Sequence, residues 1–453
     1  MIDGKVNFNK KLLTLVLPIA FQQLVLALVS TSDAVMLGFL NQDSLSAVSL
    51  AGQIQFVYNL FLGGISTGVN IFTAQYWGIE DKKSIEKIVG IALKMAFLIS
   101  VIFFIGSTFF PTLLMRIFTS DTTLISMGAE YLQVVGISYI MLSISQIYLC
   151  IMKNCGFAVK SSIISLVSVG VNIFFNAMFI FGIGFFPSLG IKGAALATVI
   201  SKLIELIWSM IIMLKKDNIK IRLKYVIHND ATLKADFWKY TLLSLGDSLV
   251  WGCGFTMYSV IMGHMGSDAT AANSIANIIK NLTICFCTGV GCGGGILVGN
   301  ELGKGNIDIA KKYASKVCKF AWISGLISGG IILLIIPFIP MFTGLTDTAR
   351  DYLRVMLVVC SYYVVGKSLN MTTIGGIFCA GGDSKFGFIC DTITMWAVTV
   401  PIGLFCAFVL KLSVPMVYII INIDEIIKLP AVYKNYKKYR WLKNLTKEIE
   451  VTA

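Results

Sequence analysis

The sequence predicts an all-α integral membrane protein with twelve transmembrane helices in two six-helix bundles, and three observations predict it. Of 453 residues, 56% are hydrophobic and only 13% are charged, with a mean hydropathy of +0.81. A soluble domain carries about 25% charged residues. Apolar runs of bilayer length, about 20 residues each, recur along the whole chain. The chain also repeats itself: adding 225 to residues 33–78 gives residues 258–303 without a gap, and twelve of the 46 pairs are identical. Gly38, Asp43, Ala47, Ser49, Ala51, Gly64, Gly68 and Gly78 match Gly263, Asp268, Ala272, Ser274, Ala276, Gly289, Gly293 and Gly303. Shared apolar composition does not so readily place Gly, Ala, Asp and Ser in step at one offset. Two copies of one bundle do.

In chain order, the first run, 12–38, follows Lys10 and Lys11, and contains Pro18. Runs 46–76 and 89–110 are separated by the charged turn holding Lys82 and Lys83. Run 122–150 follows Arg116; runs 160–183 and 190–213 are divided near Lys192. Residues 1–213 form the first lobe, and the basic segment 214–235 is a linker. The second lobe, 236–430, holds runs 236–264, 269–298, 313–338, 351–378, 385–410 and 413–430. Residues 431–453 are a basic tail. Six helices per copy give both copies one orientation, so a pseudo-two-fold axis along the membrane normal relates them.

Most of the 37 Lys and Arg residues fall on the side that holds both termini and the even-numbered loops. Only Arg116, Lys192, Arg350, Arg354 and Lys411 fall in the opposite loops. The positive-inside rule then puts both termini in the cytoplasm of a multi-pass inner-membrane protein. This asymmetry accounts for the net charge of +13, so no nucleic-acid partner is expected. The tail tyrosines and Trp441 among lysines read as an interfacial anchor on an anionic leaflet. The first apolar run is too long for a cleavable signal peptide.

Enzyme chemistry has little support. No HExxH, Walker A or GxSxG pattern stands in a fitting context. The run Gly291-Cys-Gly-Gly-Gly295 lies inside an apolar span, and reads as close helix packing. Eleven cysteines without a paired CxxC, and two histidines (His228 in a loop, His264 at an outer helix end), predict neither a metal site nor a cofactor.

Ionisable residues inside spans are costly in hydrocarbon, which makes each a functional candidate. Asp33 is the strongest: its helix is otherwise uncharged between Lys11 and Asp43. A carboxylate there can bind a proton or Na⁺; a capping role is the competing reading. Pro18 breaks the backbone ladder and is a candidate hinge, with a static kink as the alternative. Asn172 and Asn176, four apart, share a helix face and can form a polar network with Asp33 and Thr198, or act as interhelical glue. In the second lobe Asp247, Lys367, Asn370 and Asp391 sit in or near spans. Lys367 is expected to pair with Asp247 or Asp391. Lys94, Lys153, Lys202, Glu205 and Lys280 are expected to snorkel to helix ends, and Asp424 and Glu425 to lie near the interface.

These residues together resemble the multidrug and toxic compound extrusion (MATE) transporters. AspAlaValMetLeuGly at 33–38 looks like the end of the family's helix 1. AlaGlnTyrTrpGlyIleGluAsp at 74–81 and ValGlyAsnGluLeuGlyLysGlyAsn at 298–306 resemble its paired exits from helices 2 and 8. GlyAlaAlaLeuAlaThr at 193–198, AlaGlyGlyAspSerLysPhe at 380–386 and TyrArgTrpLeuLysAsn at 439–444 fit as well. The resemblance implies a V-shaped central cleft between the bundles, and export of organic, often cationic and amphipathic compounds in exchange for H⁺ or Na⁺. It makes Asp33 the helix 1 coupling carboxylate and Asn172 the helix 5 asparagine. Asn176 stands where some members carry a second aspartate, which leaves Asp33 as the main titrating group. No second-lobe sodium site carries over, because helix 10 has Lys367 and Asp247 lies early in its helix.

The sequence thus predicts a cation-coupled antiporter, a monomer whose partners are small organic substrates and the bilayer. A lipid-linked oligosaccharide flippase would favour a basic cavity, and a receptor or scaffold would need no intramembrane acids.

Overall fold

In the computed structural model the described residues are 3–183, 187–215, 218–227, 230–341 and 345–446. The side chains of 3–7, 30–35, 38 and 340 lie outside the description. Every regular element among the described residues is helical. The first repeat comprises α1 (Asp3–Leu40), α2 (Gln42–Gly78), α3 (Lys82–Phe109), α4 (Thr122–Asn154), α5 (Ala158–Phe181) and α6 (Gly190–Met213). The second comprises α7 (Ala231–His264), α8 (Ser267–Gly303), α9 (Ile307–Ile335), α10 (Asp347–Phe378), α11 (Ser384–Val409) and α12 (Val414–Ile421). A last helix, α13 (Asp424–Lys437), follows.

Ten of these helices are long and apolar enough to cross a membrane. The other two predicted spans depart from that pattern for visible reasons. Helix α7 has the length, but Asp247 and the Gly, Ser, Thr and Tyr residues of 240–259 lower its hydropathy. The predicted run 413–430 is not one helix, because the chain breaks at Asn422–Ile423 between α12 and α13. Asn422 turns back there, donating Nδ2 to the Tyr418 carbonyl at 2.9 Å.

Local chemistry fixes the helix ends. Asp121 caps α4, accepting from the backbone N–H of Thr123 at 2.8 Å and of Leu124 at 3.3 Å. Asp81 caps α3 through the N–H of Ser84. Helix α5 stops at Gly182, whose φ of +69° suits glycine. Pro18 lies inside α1, and the helix runs on through it. The last turns of α10 and two stretches of α11 are π-helical, which rotates the side chains beyond them relative to a regular helix.

The chain divides into two compact units that cut through helices. One holds Met1–Leu24, Ala74–Ile79 and Leu242–Ala453; the other holds Val25–Thr73 and Glu80–Thr241. Chain order alone would place the first half of α1 and the end of α2 with the first lobe. Contacts place them with the second-repeat helices.

Within the first-repeat unit, Tyr58 donates to the Tyr139 carbonyl at 2.7 Å and packs with Phe103 and Tyr139. In the second-repeat unit a core of Ile332, Leu357, Val364, Val417 and Tyr418 is fully buried. The Gly291–Gly295 run is packing surface, as its composition implies. A side chain on Gly294 would enter Val317, and one on Gly295 would press on the Gly376 backbone.

The repeat is also visible as reciprocal contacts. A Cβ on Gly78 would strike the Asn300 carbonyl, and a Cβ on Gly303 would strike the Gln75 carbonyl. Gly78 and Gly303 are equivalent at the 225-residue offset, and so are Gln75 and Asn300. The ends of α2 and α8 therefore cross with each helix making the other's contact, as a pseudo-two-fold requires.

Candidate functional sites in the two units

In the first-repeat unit, α5 and α6 carry a chain of polar side chains. Asn176 donates Nδ2 to Asn172 Oδ1 at 3.2 Å, and Asn172 donates Nδ2 to Thr198 Oγ1 at 3.4 Å. Thr198 returns its hydroxyl to the Ala194 carbonyl at 3.0 Å. One turn further, Ser168 donates to the Ser201 carbonyl at 2.9 Å. The spacing of four that suggested a shared face thus produces one, and the predicted Asn172, Asn176 and Thr198 meet. Asp33 belongs to α1, but its side chain lies outside the described residues.

A second polar cluster in this unit was not foreseen. Asn154 donates to Asn70 Oδ1 at 2.7 Å and Thr73 Oγ1 at 2.8 Å, joining α4 to α2. Glu205 corrects an expectation: it does not snorkel but is 1% exposed. It accepts from Ser145 Oγ at 2.8 Å and pairs with Lys202 at 2.9 Å. A carboxylate this deep persists because both of its oxygens are matched.

Between that unit's linker and α3, Asp230 pairs with Lys87 at 2.9 Å. The Lys87 ammonium holds the Asp230 carboxyl below the usual carboxylate range.

The second-repeat unit holds a buried charge network. Lys367 on α10 pairs with Glu425 on α13 at 3.1 Å and lies over the Trp251 ring at 4.6 Å. Asn370 donates Nδ2 to the Glu425 carboxylate at 2.8 Å and to its carbonyl at 2.6 Å. Lys428, 1% exposed, reaches Asp391 at 3.0 Å, Glu425 at 3.4 Å and Asp424 at 3.5 Å. Asp247 Oδ1 is buried without a hydrogen-bond partner, beside Gly387.

Two expectations are corrected here, on Lys367 and on Lys280. Lys367 pairs with neither Asp247 nor Asp391; its partner is Glu425, and Asp391 takes Lys428. Asp424 and Glu425, expected near the interface, have their side chains buried within the unit, because the break at Asn422–Ile423 turns the start of α13 into it. Lys280 does not snorkel: it is 4% exposed, with its ammonium 4.8 Å from the Tyr363 ring centroid and 5.2 Å from that of Phe255. Lys367, Asn370 and Asp391 are thus brought into one network as candidates. Glu425 and Lys428, its centre, were missed. Their only signal was three charges, Asp424, Glu425 and Lys428, at the end of an apolar run.

Serine and asparagine do equivalent work in the two units. Ser145 and Asn370 are 225 apart, and each donates to a buried glutamate, Glu205 on α6 and Glu425 on α13, the helix that follows the second repeat.

One family profile, MatE, matches this chain twice, over residues 18–178 and again over 244–405. The chain belongs to the MatE family. The two matches fall one in each repeat, as expected for a MatE chain built from a duplicated bundle. It is 24% identical to the uncharacterized transporter YisQ of Bacillus subtilis, over 95% of this chain and 94% of YisQ. It is 22% identical to the probable multidrug resistance protein NorM of Thermotoga maritima, over 88% of this chain and 85% of that protein. Among solved structures, one described as an outward-facing multidrug resistance MATE family transporter matches with a TM-score of 0.86 at 18% identity, covering 96% of each chain. A Pyrococcus furiosus transporter of the MOP superfamily, described as having a binding pocket of reverse polarity, matches with the same TM-score at 19% identity, over 96% of each chain. The MatE fold of this chain is thereby an all-helical transmembrane one.

Proposed function

We propose that this protein is a cation-coupled antiporter that exports organic, amphipathic, predominantly cationic compounds across the cytoplasmic membrane. It works as a monomer with both termini in the cytoplasm. One observation supports this reading above the others: each repeat keeps a buried polar centre that takes in side chains of bilayer-length helices. In the first repeat it is the Asn172–Asn176–Thr198 chain, and in the second the network on Glu425 and Lys428. Polar and charged groups in hydrocarbon persist where they serve an ion or substrate path. Family membership and relatives named as probable multidrug resistance proteins point the same way.

In this reading Asp33 is the coupling group. Binding of H⁺ or Na⁺ at its carboxylate shifts the equilibrium toward release of the exported compound, with α1 bending at Pro18. Aromatic, methionine and polar side chains contact the compound, and a cation–π contact adds about 0.5–2 kcal/mol. The test is dye extrusion from cells carrying equal amounts of wild type and Asp33→Asn in the membrane. Extrusion at the wild-type rate by the variant would end the role of Asp33.

A second reading, a flippase for a lipid-linked anionic headgroup, is favoured by one observation. Lys280 lies against the rings of Phe255 and Tyr363, with no carboxylate within ion-pair distance among the described residues. Movement of a fluorescent pyrophosphate-linked lipid in place of dye would select it.

A further inference from the structure

The tail up to Thr446 packs Trp441 against the protein, whereas its composition suggests an exposed anchor. Trp441 is fully buried. It stacks on Tyr436 with ring centroids 5.6 Å apart and donates Nε1 to the Tyr436 carbonyl at 3.2 Å. Its own carbonyl occupies the space a Cβ on Gly381 would need. The segment is tied on both flanks: Asn435 donates to Asp383 at 2.9 Å, and Asn444 donates to the Gly303 carbonyl at 3.1 Å.

At its centre is Gln75, from the other repeat. Gln75 lies in the last turn of α2 and is fully buried. Its Nε2 donates to the carbonyls of Ala380 at 2.7 Å and Lys443 at 3.2 Å, and its Oε1 accepts from the Leu445 N–H at 2.7 Å. One amide side chain thereby joins three segments: the end of α2, the α10–α11 turn, and the tail. All of its hydrogen-bonding directions but one are used. It sits three residues before Gly78, at the reciprocal crossing of α2 and α8.

We propose that the C-terminal tail is a latch, that Gln75 is the positioning residue through which it holds the end of α2 against α8 and the α10–α11 turn, and that unlatching is a step of the transport cycle. The α2 end cannot leave α8 while these bonds stand. Buried hydrogen bonds that share one side chain reinforce one another, so losing the tail bonds weakens the hold on the rest. The tie to transport rests on the antiporter reading; the tie between Gln75 and the tail does not.

The test is amide hydrogen exchange on the full chain in lipid nanodiscs, comparing wild type with Gln75→Leu and with a chain ending at Lys437. Leucine keeps the volume of Gln75 and removes every bond, so a general folding failure is separated from unlatching. In Gln75→Leu, exchange should rise about tenfold or more in two places together, residues 74–79 and 441–446, as expected for losing two or three hydrogen bonds. Residues 149–164 should be unchanged. The truncated chain, which keeps only the Gln75–Ala380 bond, should also show a rise at 74–79, somewhat smaller. Exchange at 74–79 that stays at the wild-type rate in both variants overturns the latch, as does a rise spread evenly over 242–446. Dye efflux then reads the consequence. A severalfold change in maximal rate with KM unchanged supports a role in the cycle, and wild-type efflux with faster exchange at 74–79 removes that role while leaving the antiporter reading intact.

Discussion

Glu425→Gln tests how the second-repeat unit holds its charges. Among the described residues Lys367 has one carboxylate partner, Glu425, whereas Lys428 has three. The amide therefore orphans Lys367 but leaves Lys428 with Asp391 and Asp424. Breaking a buried pair by removing one partner costs about 3–5 kcal/mol. The Lys367 side chain is 16% exposed, which permits partial hydration and favours the lower end, about 3 kcal/mol. At roughly 2–4 °C per kcal/mol, the unfolding midpoint should fall by about 6–12 °C. Adding Lys367→Met removes the orphaned charge, so the double variant should recover about 2 kcal/mol of that loss. Thermal unfolding followed by tryptophan fluorescence suits the experiment, because Trp251 lies directly under Lys367. A Glu425→Gln midpoint within about 1 °C of wild type, or a double variant less stable than the single, would refute the reasoning.

Other consequences follow from particular contacts. Gly78→Ala and Gly303→Ala each push a methyl into a backbone carbonyl of the same crossing. Each should cost about 1–3 kcal/mol, and the pair less than the sum, as read from thermal midpoints. Lys280→Met removes an ammonium that has rings but, among the described residues, no carboxylate within ion-pair distance, so the midpoint should hold or rise by up to a few degrees; a fall of several degrees would show that the charge is compensated by the more distant Asp424 and Glu425. Asn172→Ala breaks the link between Asn176 and Thr198 and should cost about 1–3 kcal/mol, measured the same way. The lowered Asp230 carboxyl stabilises the linker above its unfolded value of about 3.9, and this is lost as pH falls through the folded value. Both partners of that pair are about a third exposed, so the effect is under about 1 kcal/mol, and Lys87→Met should abolish the acid-induced rise in linker hydrogen exchange.

The parts of the fold legible in the sequence are those governed by periodicity and spacing. The 225-residue repeat appears in three dimensions as the reciprocal Gly78–Asn300 and Gly303–Gln75 contacts. The spacing of Asn172 and Asn176 placed them on one face, opposite Thr198. What the sequence hid depends on breaks in periodicity. The turn at Asn422–Ile423 directs Glu425 and Lys428 inward, and a run read as one continuous helix cannot reveal it. The π-helical turns of α10 and α11 likewise shift faces without a composition signal. Trp441 among lysines has the composition of a membrane anchor, yet it fits the surface left bare by Gly381. That complementarity lies between residues 60 apart, and no local pattern encodes it.

The central claim is cation-coupled export, and reconstitution in liposomes tests it most directly. Purified wild type and Asp33→Asn are given an imposed proton gradient or an imposed sodium gradient, separately, with a fluorescent cationic dye. The account predicts dye movement driven by one of the two gradients and lost in Asp33→Asn. Dye movement equal in the variant, or absent under both gradients, would contradict it.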